Sequence, residues 1–274
     1  YVAEISDELA PWTVWGRLGG LLAVAQAFAP FKDWSWLSRV VRRLERRVTP
    51  VKAKHARLRP SSEIFTWAIE RMDQIEREPP TRDAECQYRD ALIIALLTVC
   101  PGLRLGNLAA IEIDRHLLRQ PKSYTLRFAA AEMKTRRPFE TPVPASLDGY
   151  LDRYMHRVRP VLLGAYQGAR LWITRYGRPM RSKALYNSIT VTTQRAFGQA
   201  INPHLFRDCA ATTIAIEDPK HIGVAPLVLG HSDPRTTEAH YIQAQQIEAG
   251  RKLAQSIESL RKAYRVGPRG RGRQ

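Results

Sequence analysis

Cysteine is scarce in this 274-residue chain: Cys86, Cys100 and Cys209 are odd in number, widely spaced and never in a CxxC pair. That pattern argues against a disulfide framework or a zinc site and points to a reducing, cytoplasmic setting. Long apolar runs are also missing. Residues 91–100 and 19–30 are the longest, short of the roughly 20 that a membrane-spanning helix needs, and no signal-peptide pattern precedes them. The chain opens on Tyr1 rather than Met, so a trimmed form is expected. Acidic residues are in short supply, with 26 Asp and Glu against 43 Lys and Arg and a net charge of +17.

With 44% hydrophobic and 25% charged residues, the chain has the composition of a folded protein of one large or two modest domains. Its charge exceeds what solubility needs, and a polyanion, in its commonest form nucleic acid, is the expected partner. The positive charge is concentrated. Arg39, Arg42, Arg43, Arg46, Arg47, Lys52, Lys54, Arg57 and Arg59 face a single acid, Glu45, across residues 39–59, which reads as a basic helix end and interdomain linker in contact with DNA.

Residues 9–30 carry Trp12, Trp15, Leu18, Leu22 and Ala25 at helical spacing, and the aromatic stripe Trp12, Trp15 and Phe28 is expected to be core. After Pro60, a helix capped by Ser61 or Ser62 runs to about Arg77, and a second, strongly apolar helix covers residues 82–98. Pro101 and Gly102 interrupt it. Alternating segments near residues 112, 126 and 139–143 predict a three-stranded antiparallel sheet. Helices follow over 146–160, 182–197, 206–217, 225–229 and 243–264, then an Arg/Gly-rich, disordered tail at 265–274. The fold class is mainly α with a small antiparallel β-sheet, α+β. Its parts are a helical domain over 1–58, with the basic linker at 39–59, and a larger domain over 60–264.

Four segments carry chemistry. PGLRLGNLAAIEI holds Arg104; AAAEMKTRRPFETPVP holds Lys134 in an expected hairpin; INPHLFRD holds His204 and Arg207 on one turn; LGHSDPRTTEAHYIQA holds His231 and Tyr241. No carboxylate cluster accompanies them, so a site for hard metal ions is not expected. Metal-free phosphoryl transfer would need fixed cationic forks on the phosphate oxygens, which Arg supplies because it stays protonated and grips two oxygens at once. A tyrosine phenol could then serve as nucleophile, and a nearby Lys or His could protonate the departing oxygen.

In this order and spacing, Arg, Lys, His-x-x-Arg, LGH and Tyr resemble the tyrosine recombinases, the phage-type integrases and Xer-like enzymes, over residues 62–264. The resemblance implies a helical core-binding domain followed by a catalytic domain, acting on double-stranded DNA without metal or other cofactor. It also implies the roles. Arg104 and Arg207 would clamp the scissile phosphate, His231 would bond a non-bridging oxygen and His204 would assist proton transfer from the nucleophile. Lys134 would protonate the leaving 5′ oxygen, and Tyr241 would attack to give a 3′-phosphotyrosyl bond. Four copies would join through the C-terminal helix and exchange strands through a four-way junction, with an accessory DNA-bending factor as a further partner. The setting implied is the nucleoid of a bacterial or phage system.

Two positions depart from the family pattern: Asn107 stands where Glu often supports the first Arg, and Asp208, placed to pair with Arg207, stands where His is frequent. Two other readings stay open. One is strand relaxation of the type IB topoisomerase kind; the other is a catalytically idle DNA-binding member of a multi-protein recombinase. Lys134 competes with Arg136 and Arg137 in the same hairpin, but a lysine pKa falls readily beside other cations, whereas arginine stays protonated. His240 lies outside the pattern and reads as structural. The stripe Ile247, Ala254, Ile257, Leu260 and Tyr264 could instead fold back on its own domain.

Overall fold

The computed structural model describes residues 2–46, 48, 57–121 and 123–217. The chain divides into two compact units, Tyr1–Ala56 and Arg57–Gln274. The expected helices at 225–229 and 243–264, the tail at 265–274, and His231 and Tyr241 lie outside the described residues.

The first unit contains α1 (Val2–Glu8), α2 (Pro11–Phe28) and α3 (Ser35–Glu45). Pro11 opens α2 where its missing N–H costs nothing. The Asp33 carboxylate accepts from the Ser35 backbone N–H at 2.8 Å and so tethers the start of α3. Val14, Leu18 and Leu37 are buried between these helices. Trp12 and Phe28 are not core as expected: they are 61% and 88% exposed. Helix α2 is apolar around most of its circumference, so helical spacing could not say which side faces inward.

In the second unit, α4 (Ser61–Arg77) and α5 (Arg82–Val99) form an antiparallel pair, turned by Pro79 and Pro80. The Thr81 hydroxyl caps α5 by accepting from Ala84 N–H at 3.1 Å. Residues 91–97 are buried on every face of α5, making it the spine of the core. Each large aliphatic side chain there contributes about 1.5–3 kcal/mol. Neither Ser61 nor Ser62 caps α4 as expected. Instead the hydroxyl of Thr213, 152 residues away, accepts the Ser61 backbone N–H at 2.8 Å.

Helix α6 (Leu105–Ala110) leads into the sheet β1 (Leu117–Gln120), β2 (Ser123–Phe128) and β3 (Phe139–Pro142). The strands are antiparallel in the order β1-β2-β3, with Leu117 opposite Leu126 and Leu126 opposite Thr141. The sheet is the one expected, but its first strand is LLRQ rather than AIEI. Asp114 adopts a positive φ of 63° and turns the chain, leaving Glu112 and Ile113 in single bridges only. The expected 146–160 helix is segmented. It comprises α7 (Asp148–Arg153), a π-helical stretch (Tyr154–Val158) and α8 (Arg159–Leu163).

Two further helices complete the described fold, α9 (Ser182–Phe197) and α10 (Leu205–Glu217). Gly198, at φ 70°, ends α9 in the left-handed conformation that glycine adopts without steric penalty. The buried Thr193 hydroxyl then accepts from Ile201 N–H at 2.9 Å, pinning the chain as it enters the His-x-x-Arg turn. Among the described residues, no helix is long and apolar enough to cross a membrane.

Candidate active site

Arg104 occupies the extended residue just before α6, and its carbonyl accepts from Leu108 N–H at 2.8 Å. Leu103 and Leu108, both buried, anchor the flanks and leave the Arg104 side chain half-buried at the surface. Just before α10, the Asn202 carboxamide oxygen accepts from the backbone N–H groups of His204 and Leu205 at 3.1 and 3.0 Å. This Asx turn starts the helix and presents His204 outward.

Arg207 is buried at 7% exposure. Its Nε donates to the Pro101 carbonyl at 3.0 Å and its Nη2 to the Gly102 carbonyl at 2.6 Å. Burial pulls its pKa down and the neighbouring Arg104 charge adds to this, while Asp208, itself buried, opposes both. Guanidinium nevertheless stays protonated in proteins. Two adjacent cations, one half-exposed and one locked to backbone carbonyls, form a site whose electrostatic deficit an anion would relieve.

Lys134 lies exposed on the connection between β2 and β3. It faces the same cleft, of 460 Å³, as Arg104, His204 and Arg207, and Tyr186, Asn202 and Pro203 complete much of the lining. Thus four of the six residues singled out by sequence meet at one place. Among the described residues that line the cleft, none is acidic. Arg136 and Arg137, the competitors of Lys134, are not among them.

Tyr186, 43% exposed on α9, was not foreseen, and nothing in its local sequence marks it. A second cleft, of 940 Å³, also escaped notice; Tyr176, Arg178, Arg181, Lys183 and Asn187 contribute to it. Here a signal existed, because TRYGRPMRSK packs Arg175, Arg178, Arg181 and Lys183 into ten residues.

Among the basic residues expected to touch DNA, Arg39, Arg42, Arg43 and Arg46 are exposed on or just beyond α3. Arg47, Lys52 and Lys54 lie outside the described residues. Arg57 and Arg59 are engaged within the second unit. Arg57 Nε donates to the Ala200 carbonyl at 2.9 Å, and Arg59 donates to the Phe197 carbonyl and Glu63, both at 3.0 Å.

No family model matches the chain. It is 28% identical to the tyrosine recombinase XerD of Staphylococcus haemolyticus over 164 residues, 60% of this chain and 53% of the relative. The XerD of Pseudomonas aeruginosa is also 28% identical, over 59% of this chain and 52% of its own length. The chain therefore spans about half the length of the curated relatives it matches. In fold, it is similar to the crystal structure of a XerA recombinase, with a TM-score of 0.53, 15% identity, and coverage of 90% of this chain and 84% of that one. A XerH site-specific recombinase bound to a palindromic difH substrate, in a post-cleavage complex, gives a TM-score of 0.52 at 15% identity, covering 70% of this chain and 52% of that one.

Proposed function

We propose that the chain is a tyrosine recombinase that cleaves and rejoins double-stranded DNA at specific sites, with Tyr241 as nucleophile, a reading supported by its 28% identity to XerD over 164 residues. The observation that carries this reading is the convergence of Arg104, Lys134, His204 and Arg207 on one acid-free cleft. Arg104 and Arg207 hold the non-bridging oxygens of the scissile phosphate and stabilise the charge that builds on them, with His231 as a further donor. The Tyr241 oxygen attacks phosphorus and gives up its proton with help from His204. The bond from phosphorus to the 5′ oxygen breaks as Lys134 Nζ protonates that oxygen. The products are a 3′-phosphotyrosyl bond and a free 5′ hydroxyl. Attack by the 5′ hydroxyl of a partner strand reverses the step, so rejoining needs no added energy source.

Residues 1–58 serve as the core-binding domain and 60–264 as the catalytic domain. The DNA backbone is held by the exposed arginines of α3 and by the second cleft, where Arg178, Arg181 and Lys183 offer positive charge. Tyr186 and Asn187, consecutive on α9, line one cleft each. Four copies assemble on paired sites through segment 243–264 and exchange strands by way of a four-way junction.

The test is to incubate wild type and Tyr241→Phe, in EDTA, with a randomised library of nicked duplexes and to recover SDS-resistant adducts. Wild type is expected to trap DNA through its 3′ end, and the Phe variant to bind without trapping. Binding without trapping by both would sink the catalytic reading in favour of a partner-dependent DNA-binding role. Relaxation of an arbitrary supercoiled plasmid by wild type would favour the topoisomerase-like reaction.

A further inference from the structure

A proton donor on a loop works only if the loop is held still, and the connection carrying Lys134 has a single short 3₁₀ turn, Ala130–Glu132, to stiffen it. The node that fixes it is Glu132, two residues before Lys134. One carboxylate oxygen of Glu132 accepts from Arg115 Nη2 at 2.6 Å and contacts His116 Nε2 at 3.1 Å. The other accepts from Ala129 N–H at 3.0 Å. Its backbone carbonyl accepts from the Asn107 carboxamide Nδ2 at 3.0 Å.

His116 is 3% exposed and stacked on Phe128, with ring centroids 4.6 Å apart. Its Nδ1 accepts from Glu112 N–H at 3.0 Å, which assigns the proton of the neutral ring to Nε2, facing Glu132. Asn107 is 8% exposed and sits three residues after Arg104, on α6. It therefore joins the helix that follows Arg104 directly to the loop that carries Lys134. An ionised glutamate at this position would have no hydrogen to give and would turn an oxygen towards the Glu132 carbonyl. Asparagine supplies a donor that a carboxylate lacks.

We propose that Asn107 is a positioning residue for proton donation, acting through the Glu132 node and backed by His116, to hold Lys134 in register with Arg104. The inference rests on the reading of Lys134 as the acid for the leaving 5′ oxygen. Its consequence is specific to that proton: a leaving group that departs without one should be indifferent to Asn107.

The experiment compares wild type, Asn107→Ala, Asn107→Asp and Glu132→Gln on the nicked duplex library, prepared with the ordinary 5′ oxygen or with sulfur in its place at each nick-proximal linkage. A thiolate is a far better leaving group than an alkoxide and needs no acid. All three variants are expected to slow cleavage at oxygen by roughly tenfold or more, the scale of general acid catalysis, and to cleave at sulfur within about threefold of wild type. Equal slowing at sulfur, or an Asn107→Asp variant as fast as wild type at oxygen, would overturn the proposal. A second readout, hydrogen exchange in the free protein, needs no cleavage. The amides of Glu132, Met133 and Arg136, which donate to Ala129, Ala130 and Met133, should exchange about tenfold faster in both Asn107 variants while those of α9 are unchanged. Unchanged loop exchange also overturns it. Wild type that cleaves neither linkage overturns the catalytic reading and the proposal with it, and the exchange shift would then mark the tether as structural only.

Discussion

Arg207 Nη2 lies 2.6 Å from the carbonyl oxygen of Gly102, two residues ahead of Arg104. One arginine thus supplies positive charge to the cleft and also fixes the backbone from which the other springs. With Nε on Pro101 as well, the fork is planar and two-pronged, a geometry lysine cannot copy. Arg207→Lys should keep the charge yet lose one of the two bonds, lowering unfolding free energy by about 1–3 kcal/mol. Chemical denaturation would show the loss, and adduct formation on the nicked library should fall with it.

The cap on α4 can be tested separately. Thr213→Val removes the oxygen that accepts Ser61 N–H and should cost about 1 kcal/mol. Thr81→Ala, at the start of α5, should cost a similar amount by the local route. Ser61→Ala, which sequence alone would have ranked with them, should change urea stability by less than about 0.5 kcal/mol.

Burial pushes the Cys100 thiol up to about 12 and the Cys209 thiol up to about 11. Cys86 is only partly buried, and its thiol accepts a long contact from Arg89 at 3.6 Å. Burial raises the Cys86 thiol as well, so a thiol reagent at about pH 8 should modify Cys86 first because it alone of the three is reachable in the folded protein. Cys100 and Cys209 should react only on unfolding, as peptide mass mapping would reveal. Fast labelling of Cys100 in the native protein would contradict its place in the core.

Glu132 titrates below the ordinary carboxylate value of 4.5, first because of its bond with His116 and then because of Ala129 N–H. A folded-state pKa lowered in this way adds stability that is fully present above 4.5 and fades as pH falls through the lower, folded value. The stability difference between wild type and Glu132→Gln should thus be flat from about pH 7 to pH 5 and shrink below that. Melting curves across this range would detect a difference that grew on acidification, the opposite sign.

Much of this was legible in sequence where a local rule governed. Residues 182–197 were expected to be helical, and α9 has those bounds because its apolar positions repeat at helical spacing and Gly198 ends it. Arg104, Lys134, His204 and Arg207 could be picked out by residue type and by an order that resembles the tyrosine recombinases, and all four line one cleft. Other features depend on partners distant in the chain. The oxygen that caps α4 comes from Thr213, and no local pattern announces it. AIEI alternates and LLRQ does not, yet the strand is LLRQ, because the turn at Asp114 takes the chain out of AIEI before it can pair as a strand. Asn107 read as a lost carboxylate because its partner, the Glu132 carbonyl, is 25 positions away.

The bond between Ser61 and Thr213 has a mechanical meaning as well. A pull on the chain ahead of Pro60 acts across the Ser61–Thr213 bond and across the grip of Arg59 on the Phe197 carbonyl. The first leads into α10, which bears Arg207, and the second to the end of α9, from which the chain runs on to His204. Such a pull would thus reach α9 and α10, which both line the cleft, as well as α5 through its packing against α4.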